Sequence, residues 1–357
     1  MLSIFKLFKW RLTRFIGTIT LVLLCCSTYG EAKNAPRGVT IDGVSFLCAP
    51  TPVNIVDKNY DPGGWNFNRE LAANTFAVYA VASYDAYEPR GKDKSRAFRF
   101  DDDHPDLRGD PAYGSTGWRR AEERHSNLSG LSYDVYYRDS ANMLEVLTSF
   151  RGTDGWFNVD LIANLSWLTQ WINPWDQYRQ ARYGFFEVLK RAVKVANGKS
   201  VSFTVVGHSL GGGLAQYVAH THPCTAAVVF NASPVTNTWL TRSRNDAPLV
   251  IRIYVEGDAF EMLAPTIKNT PSEAVYRFSR RMFDPQKTEH PEFIYQHNME
   301  SIAATMARMA IACSSRKDCE ISDKAVLART LYCARYWGYR WNTQPVLREA
   351  TYDKICS

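Results

Sequence analysis

Val201-Ser-Phe-Thr-Val-Val-Gly-His-Ser-Leu-Gly-Gly-Gly213 is the stretch on which the reading of this chain turns. The run from Val201 to Val206 is short, apolar and rich in β-branched residues, as in a strand buried on both faces. From Leu210 to Ala219 the composition becomes that of a helix. Between the two stands Gly207-His-Ser-Leu-Gly211. A G-x-S-x-G pattern alone is weak, and a glycine-rich helix cap would produce it. A strand before and a helix after supply the setting that a nucleophile elbow requires. The turn strains the serine backbone and brings the residues two positions to either side together. Gly207 and Gly211 meet that demand. The Ser209 hydroxyl is then expected at the strand tip, with the positive end of a helix dipole behind it.

Working outward, the chain alternates between strand-like and helix-like segments. Leu71 to Tyr87 reads as a helix, and Leu131 to Tyr137 with Met143 to Phe150 as a hairpin-like pair. Gln177 to Val195 is helix-like, and Ala226 to Phe230 and Leu249 to Val255 are short apolar strands. After residue 300, Ile302 to Ile311 and Lys324 to Trp337 read as helices. Residues 33–68, rich in Pro, Gly and Asn, read as an irregular arm, and 89–128 as loop. Apolar strands separated by helices predict an α/β fold with a mostly parallel central sheet flanked by helices. Sites in such sheets lie beyond the C-terminal ends of the strands.

A serine hydroxyl needs a base, and the base needs an orienting acid. In this fold the order is Ser, Asp or Glu, then His. Only His290 and His297 lie far enough downstream. His297, at the threshold of a helix in Ile294-Tyr-Gln-His-Asn-Met299, is the preferred base; His290 precedes Pro291 in a charged stretch. His208 is expected to point away from the site. Asp258 ends the strand Ile251 to Val255 and is the preferred acid, with Glu256 and Glu261 as substitutes. The oxyanion hole is expected from the backbone N–H of Leu210 and from Thr153, which follows the strand Leu147 to Phe150 in a tight Arg151-Gly-Thr153 turn.

Phe150-Arg-Gly-Thr153 and Gly207-His-Ser-Leu-Gly-Gly212 resemble the two signature motifs of the class 3 (fungal-type) lipase family. Phe230-Asn-Ala-Ser-Pro234 resembles its strand ending in a Gly-Ala-Pro turn, and Gly257-Asp258 its acid-bearing turn. The similarity covers roughly residues 70 to 305, and two positions depart from it. Asn231 stands where the family usually has Gly, and Tyr183 where it often has His. The resemblance implies an α/β-hydrolase fold and a Ser209–Asp258–His297 triad, with Thr153 and Leu210 in the oxyanion hole. It also implies a carboxylic-ester hydrolase, a lipase or phospholipase working through an acyl-enzyme, with no cofactor or metal. A small-ester esterase and a catalytically silent binding or effector protein are the alternatives.

Trp167, Trp171 and Trp175 recur every four residues, one stripe of a helix. The family has a lid in this region, so the stripe suits transient contact with a lipid interface. A core-facing helix would show the same spacing. Asp101-Asp-Asp-His-Pro-Asp106 lacks the spaced ligands of a calcium loop and reads as a solvated acidic loop.

Residues 1–30 look like a signal peptide. Lys6, Lys9, Arg11 and Arg14 precede an apolar run from Phe15 to Cys26 that is short for a membrane span. A secreted or periplasmic location follows. The formal charge is +6, and those four leader cations leave a remainder near +2. That balance gives no electrostatic footprint for nucleic acid. Six cysteines lie beyond the leader, an even number that suits disulfides in an oxidising compartment and permits fifteen pairings. Cys313, Cys319, Cys333 and Cys356 crowd the C-terminus. The expected organisation is a leader (1–30), an arm (31–70), a hydrolase domain (71–305) and a helical, disulfide-stapled tail (306–357).

Overall fold

The computed structural model describes residues 36–49, 53, 68–87, 118–121, 125–126, 130–152, 177–235, 248–258, 260–261 and 273–278. Near the C-terminus it describes 297, 299, 302–303, 305–306 and 309. In chain order the elements are β1 (Arg37–Ile41), β2 (Val44–Cys48), α1 (Asn68–Asp85), β3 (Trp118–Arg120), β4 (His125–Ser126), β5 (Ser132–Asp139) and β6 (Met143–Phe150). Then come α2 (Gln177–Ala196), β7 (Ser200–His208), α3 (Leu210–Thr221), β8 (Thr225–Phe230), β9 (Val250–Val255) and β10 (Glu273–Phe278).

The strands form one sheet in the order β10-β9-β8-β7-β6-β5-β3. From β6 to β10 every neighbouring pair is parallel, whereas β5 runs antiparallel to β6, β3 and β4. The expected mostly parallel sheet is therefore present, with an antiparallel margin.

The inner strands are apolar because both faces are covered. Along β7, Val205 joins the core on the α2–α3 side and Val206 the core on the α1 side. The period of two in a strand sends neighbours to opposite faces. Every residue of β8 and β9 is buried. The outer layer shows the complementary helical spacing. In α2, Tyr178, Ala181, Phe185, Val188, Leu189, Ala192 and Ala196 are buried while Glu187 and Lys190 pair outside. Residues 76–85 of α1 are buried throughout. On that same face lie Met299, Ile302, Ala303 and Met306, all helical, as the sequence predicts for this region.

Three segments depart from the sequence reading. Part of the irregular arm is a hairpin, β1–β2, turned at Asp42 and Gly43 with φ 45° and 81°. Positive φ at both central residues defines a tight hairpin turn, and Asp-Gly is a signal for it. The hairpin joins the sheet where Cys48 pairs with Val201, and Cys48 forms a disulfide with Cys224. Within 89–128, β3 and β4 form short edge strands against β5. The last departure is β10, which extends the parallel ladder beyond β9. The Trp stripe, His290, the leader, the four C-terminal cysteines and Lys324–Trp337 lie outside the described residues.

Candidate active site

The turn between β7 and α3 has the geometry that the glycine spacing demands. Ser209 adopts φ 57° and ψ −127°, a conformation costly for a residue with a side chain. A Cβ on Gly207 would stand 2.4 Å from the carbonyl carbon of Gly211. One on Gly211 would stand 2.2 Å from the Phe150 carbonyl oxygen. The Ser209 N–H donates to the Phe230 carbonyl (3.2 Å), and the Ser209 carbonyl accepts from Gly213 and Ser233 (3.2 and 3.0 Å). The strained residue is thus fixed from both sides.

The β6 turn presses against this elbow. A Cβ on Gly152 would lie 2.7 Å from the His208 carbonyl oxygen and 2.1 Å from the Tyr87 hydroxyl. Leu210, whose N–H is the expected oxyanion donor, is the first residue of α3 and is partly buried. Thr153 lies outside the described residues.

Asp258 and His297, 39 residues apart, are hydrogen-bonded, with Nδ1 to Oδ2 at 2.6 Å. A carboxylate only accepts, so Nδ1 carries the proton and Nε2 of the neutral ring keeps its lone pair. Asp258 is fully buried, and Nε2 of His297 is buried with no hydrogen-bond partner among the described residues. Asp258 Oδ1 also accepts from the Phe260 N–H at 2.8 Å, and the Asp258 N–H donates to the Val255 carbonyl at 3.0 Å. Of the substitutes, Glu256 is exposed, and Glu261 pairs with Arg277 at 3.0 Å.

His208 departs from its expected orientation. Its ring lies 4.6 Å from that of His297, centroid to centroid, and Phe260 contacts His297 at 5.3 Å. Val206 already faces the α1 side, and strand alternation sends His208 the same way, to where His297 enters. Tyr87, just past α1, holds His208: its hydroxyl lies 2.9 Å from Nδ1 and 3.2 Å from the carbonyl oxygen. Burial first, then the nearby charge of His297, holds the His208 pKa well below the ordinary histidine value. His208 therefore stays neutral beside a partner that can charge. Strand alternation through Val206 was the available signal for this neighbour, and Tyr87 carried none.

A strand-turn-helix serine elbow at the C-terminal end of a parallel sheet defines an α/β-hydrolase of the lipase type. Residues 79–272 match the family model of the Tle-like phospholipase domain, described as phospholipase-like. The match spans over half of the sequence, and the chain belongs to the Tle-like phospholipase family. It is a carboxylic ester hydrolase with a lipase- and phospholipase-like domain. Among solved structures it is similar to the Rhizomucor miehei lipase in complex with its propeptide, at 16% identity and TM-score 0.37, covering 66% of this chain and 74% of that one. A triacylglycerol lipase from Penicillium expansum matches at 16% identity and TM-score 0.35, covering 58% and 77%. The lipase from Rhizopus microsporus var. chinensis matches at 15% and 0.35, covering 65% and 79%. A comparison with curated protein sequences finds no match.

Proposed function

We propose that this chain is an exported serine hydrolase that cleaves the acyl esters of lipids, with phospholipid as the substrate favoured by its family. The observation that carries the chemistry is the 2.6 Å bond between His297 Nδ1 and Asp258 Oδ2, with the His297 ring 4.6 Å from that of His208, the chain neighbour of a serine held at φ 57°. The Ser209 oxygen attacks the ester carbonyl carbon while its proton passes to Nε2 of His297. Asp258 accepts the Nδ1–H bond throughout and stabilises the imidazolium. The N–H of Leu210 and the turn at Thr153 receive the oxyanion, a contribution typically worth about 3 kcal/mol per donor. Collapse of the tetrahedral intermediate returns the proton to the departing alcohol and leaves an acyl-Ser209 ester. Water, deprotonated by His297, then releases the fatty acid and restores the serine.

Two further observations bear on the setting. The basic and apolar leader argues for export, and the Cys48–Cys224 disulfide supports an oxidising compartment. No helix among the described residues is long and apolar enough to cross a membrane. The Trp167–Trp171–Trp175 stripe is proposed to meet the lipid surface.

The test compares phospholipid vesicles, triacylglycerol emulsions and short p-nitrophenyl esters, with fluorophosphonate labelling of Ser209 as a measure of competent enzyme. Release of fatty acid from the vesicles, with labelling of Ser209, is expected. Activity confined to the short esters overturns the lipid substrate. Folded protein that takes no label overturns the nucleophile.

A further inference from the structure

Asn231 stands where class 3 lipases usually carry glycine, and the fold gives its side chain a task that glycine cannot perform. It follows β8 directly, at φ 40°, and is fully buried. Asparagine tolerates this left-handed conformation better than most residues do. The pairing of β8 with β9 ends at Phe230 and Ile253, but β9 runs on to Val255. Past the last pair, the Asn231 N–H donates to the Ile253 carbonyl at 2.8 Å. Its side-chain Oδ1 then accepts the Val255 N–H, also at 2.8 Å. The amide oxygen supplies the rung that β8 no longer provides.

That rung bears on the site from two sides. The Val255 carbonyl accepts the Asp258 N–H at 3.0 Å, and the Glu256 N–H is held by the Phe278 carbonyl at 2.8 Å. The acid-bearing turn therefore hangs from a strand end tied to β10 on one side and to Asn231 on the other. The same short segment binds the elbow: the Phe230 carbonyl accepts the Ser209 N–H, and the Ser233 N–H donates to the Ser209 carbonyl. Residues 230–233 are thus bonded to the backbone of Ser209 and to the strand that carries Asp258.

We infer that Asn231 is a positioning residue whose side-chain carbonyl fixes the end of β9 and thereby holds the Asp258 carboxylate against His297. The inference rests on the Ser209–His297–Asp258 reading. Replacing the side chain by hydrogen leaves the Val255 N–H without its acceptor and frees the turn that carries the acid. The groups facing His297 among the described residues are Asp258 from the β9 turn, His208 from the elbow, with Tyr87 behind it, and the uncharged ring of Phe260. Loosening Asp258 removes the negative partner, so imidazolium is less stabilised and the acid limb of the pH profile moves down.

The test is the pH dependence of p-nitrophenyl ester hydrolysis, per site titrated with fluorophosphonate, for wild type, Asn231→Gly, Asn231→Asp and His297→Ala. Asn231→Gly is expected to lower kcat about tenfold at unchanged KM and to shift the acid limb of kcat/KM to lower pH. Asn231→Asp keeps an acceptor for the Val255 N–H and should keep most of the rate, with its acid limb at or above that of wild type. A merely structural role would reduce the number of titratable sites and leave per-site kcat and the limb unchanged; that result for Asn231→Gly overturns the inference. If the glycine variant does not fold, Asn231→Asp decides, and an acid limb below that of wild type overturns it. Retained turnover in His297→Ala means the triad reading itself has failed. An inactive His297→Ala beside a wild-type-like Asn231→Gly removes the positioning role alone.

Discussion

At the scale of single residues, the site depends on atoms that face in unusual directions. Ser209 is buried at 4% exposure and held at φ 57°, strain that ordinary packing would not select. His297 contacts two rings, one of them a histidine kept neutral by burial. Ser209→Ala and His297→Ala should each abolish turnover almost completely, and the double variant should be no worse, because nucleophile and base act as one unit. Asp258→Asn should retain more activity than either, since the acid orients and stabilises without forming a bond. Steady-state ester hydrolysis of purified, folded variants checks the ranking. Wild-type rates in His297→Ala would remove it from the role of base.

At the scale of elements, α3 and the β6 turn meet backbone to backbone. Gly211 allows this, because a Cβ there would stand 2.2 Å from the Phe150 carbonyl and 2.8 Å from the Gly152 nitrogen. Neither of those atoms is the end of a flexible side chain. Gly211→Ala must therefore push β6 away from the helix. A cost of at least 1–3 kcal/mol, on the order seen for overpacked cores, is expected. The labelling rate of Ser209 should fall together with thermal stability, because the displaced turn leads into the expected oxyanion loop. A variant with unchanged melting temperature and labelling rate would contradict this packing.

At the scale of the whole molecule, a buried histidine and a disulfide between described residues bear on stability. The Nε2–H of His222 donates to the Arg182 carbonyl at 3.1 Å, while Nδ1 is buried with no partner among the described residues. Burial, against the opposing effect of that hydrogen bond, lowers its pKa from 6.5 to about 4. Above pH 6.5 the ring is neutral whether folded or unfolded, so it contributes no pH dependence. As pH falls from 6.5 to about 4, the unfolded chain takes up a proton that the folded chain refuses. Stability is lost across that window, about 3 kcal/mol in all, and no further below it. Urea unfolding of wild type and His222→Gln at several pH values should give a shallower decline for the variant; equal slopes would refute the assignment. The Cys48–Cys224 bond closes a loop across 176 residues and clips the N-terminal hairpin to the end of α3. Replacing both cysteines with alanine should cost about 2–5 kcal/mol, read as a lower melting temperature under non-reducing conditions. Setting that pair aside, Cys313, Cys319, Cys333 and Cys356 can pair among themselves in three ways. Non-reducing peptide mapping should show linked peptides from that group, and four free thiols there would overturn the stapled tail.

The amino-acid sequence by itself determined the sheet's inner strands, the elbow and the place of Asp258 just past a strand end. These are legible because each is local: an apolar strand, a glycine spacing around Ser209, and an acid just past a strand end. The same locality holds for the N-terminal hairpin, where Asp42-Gly43 separates two short strands. Only the tertiary structure decided which groups surround His297. Tyr87 lies 121 residues from His208 in the chain, and Asp258 lies 39 from His297. Distances of that kind depend on how α1 and the segment at His297 pack on one face of the sheet, and no periodicity encodes them. The role of Asn231 is of the same kind. Its identity was visible as a departure from glycine, but its meaning came from β9 outrunning β8 by two residues, leaving an N–H that only a side chain could satisfy.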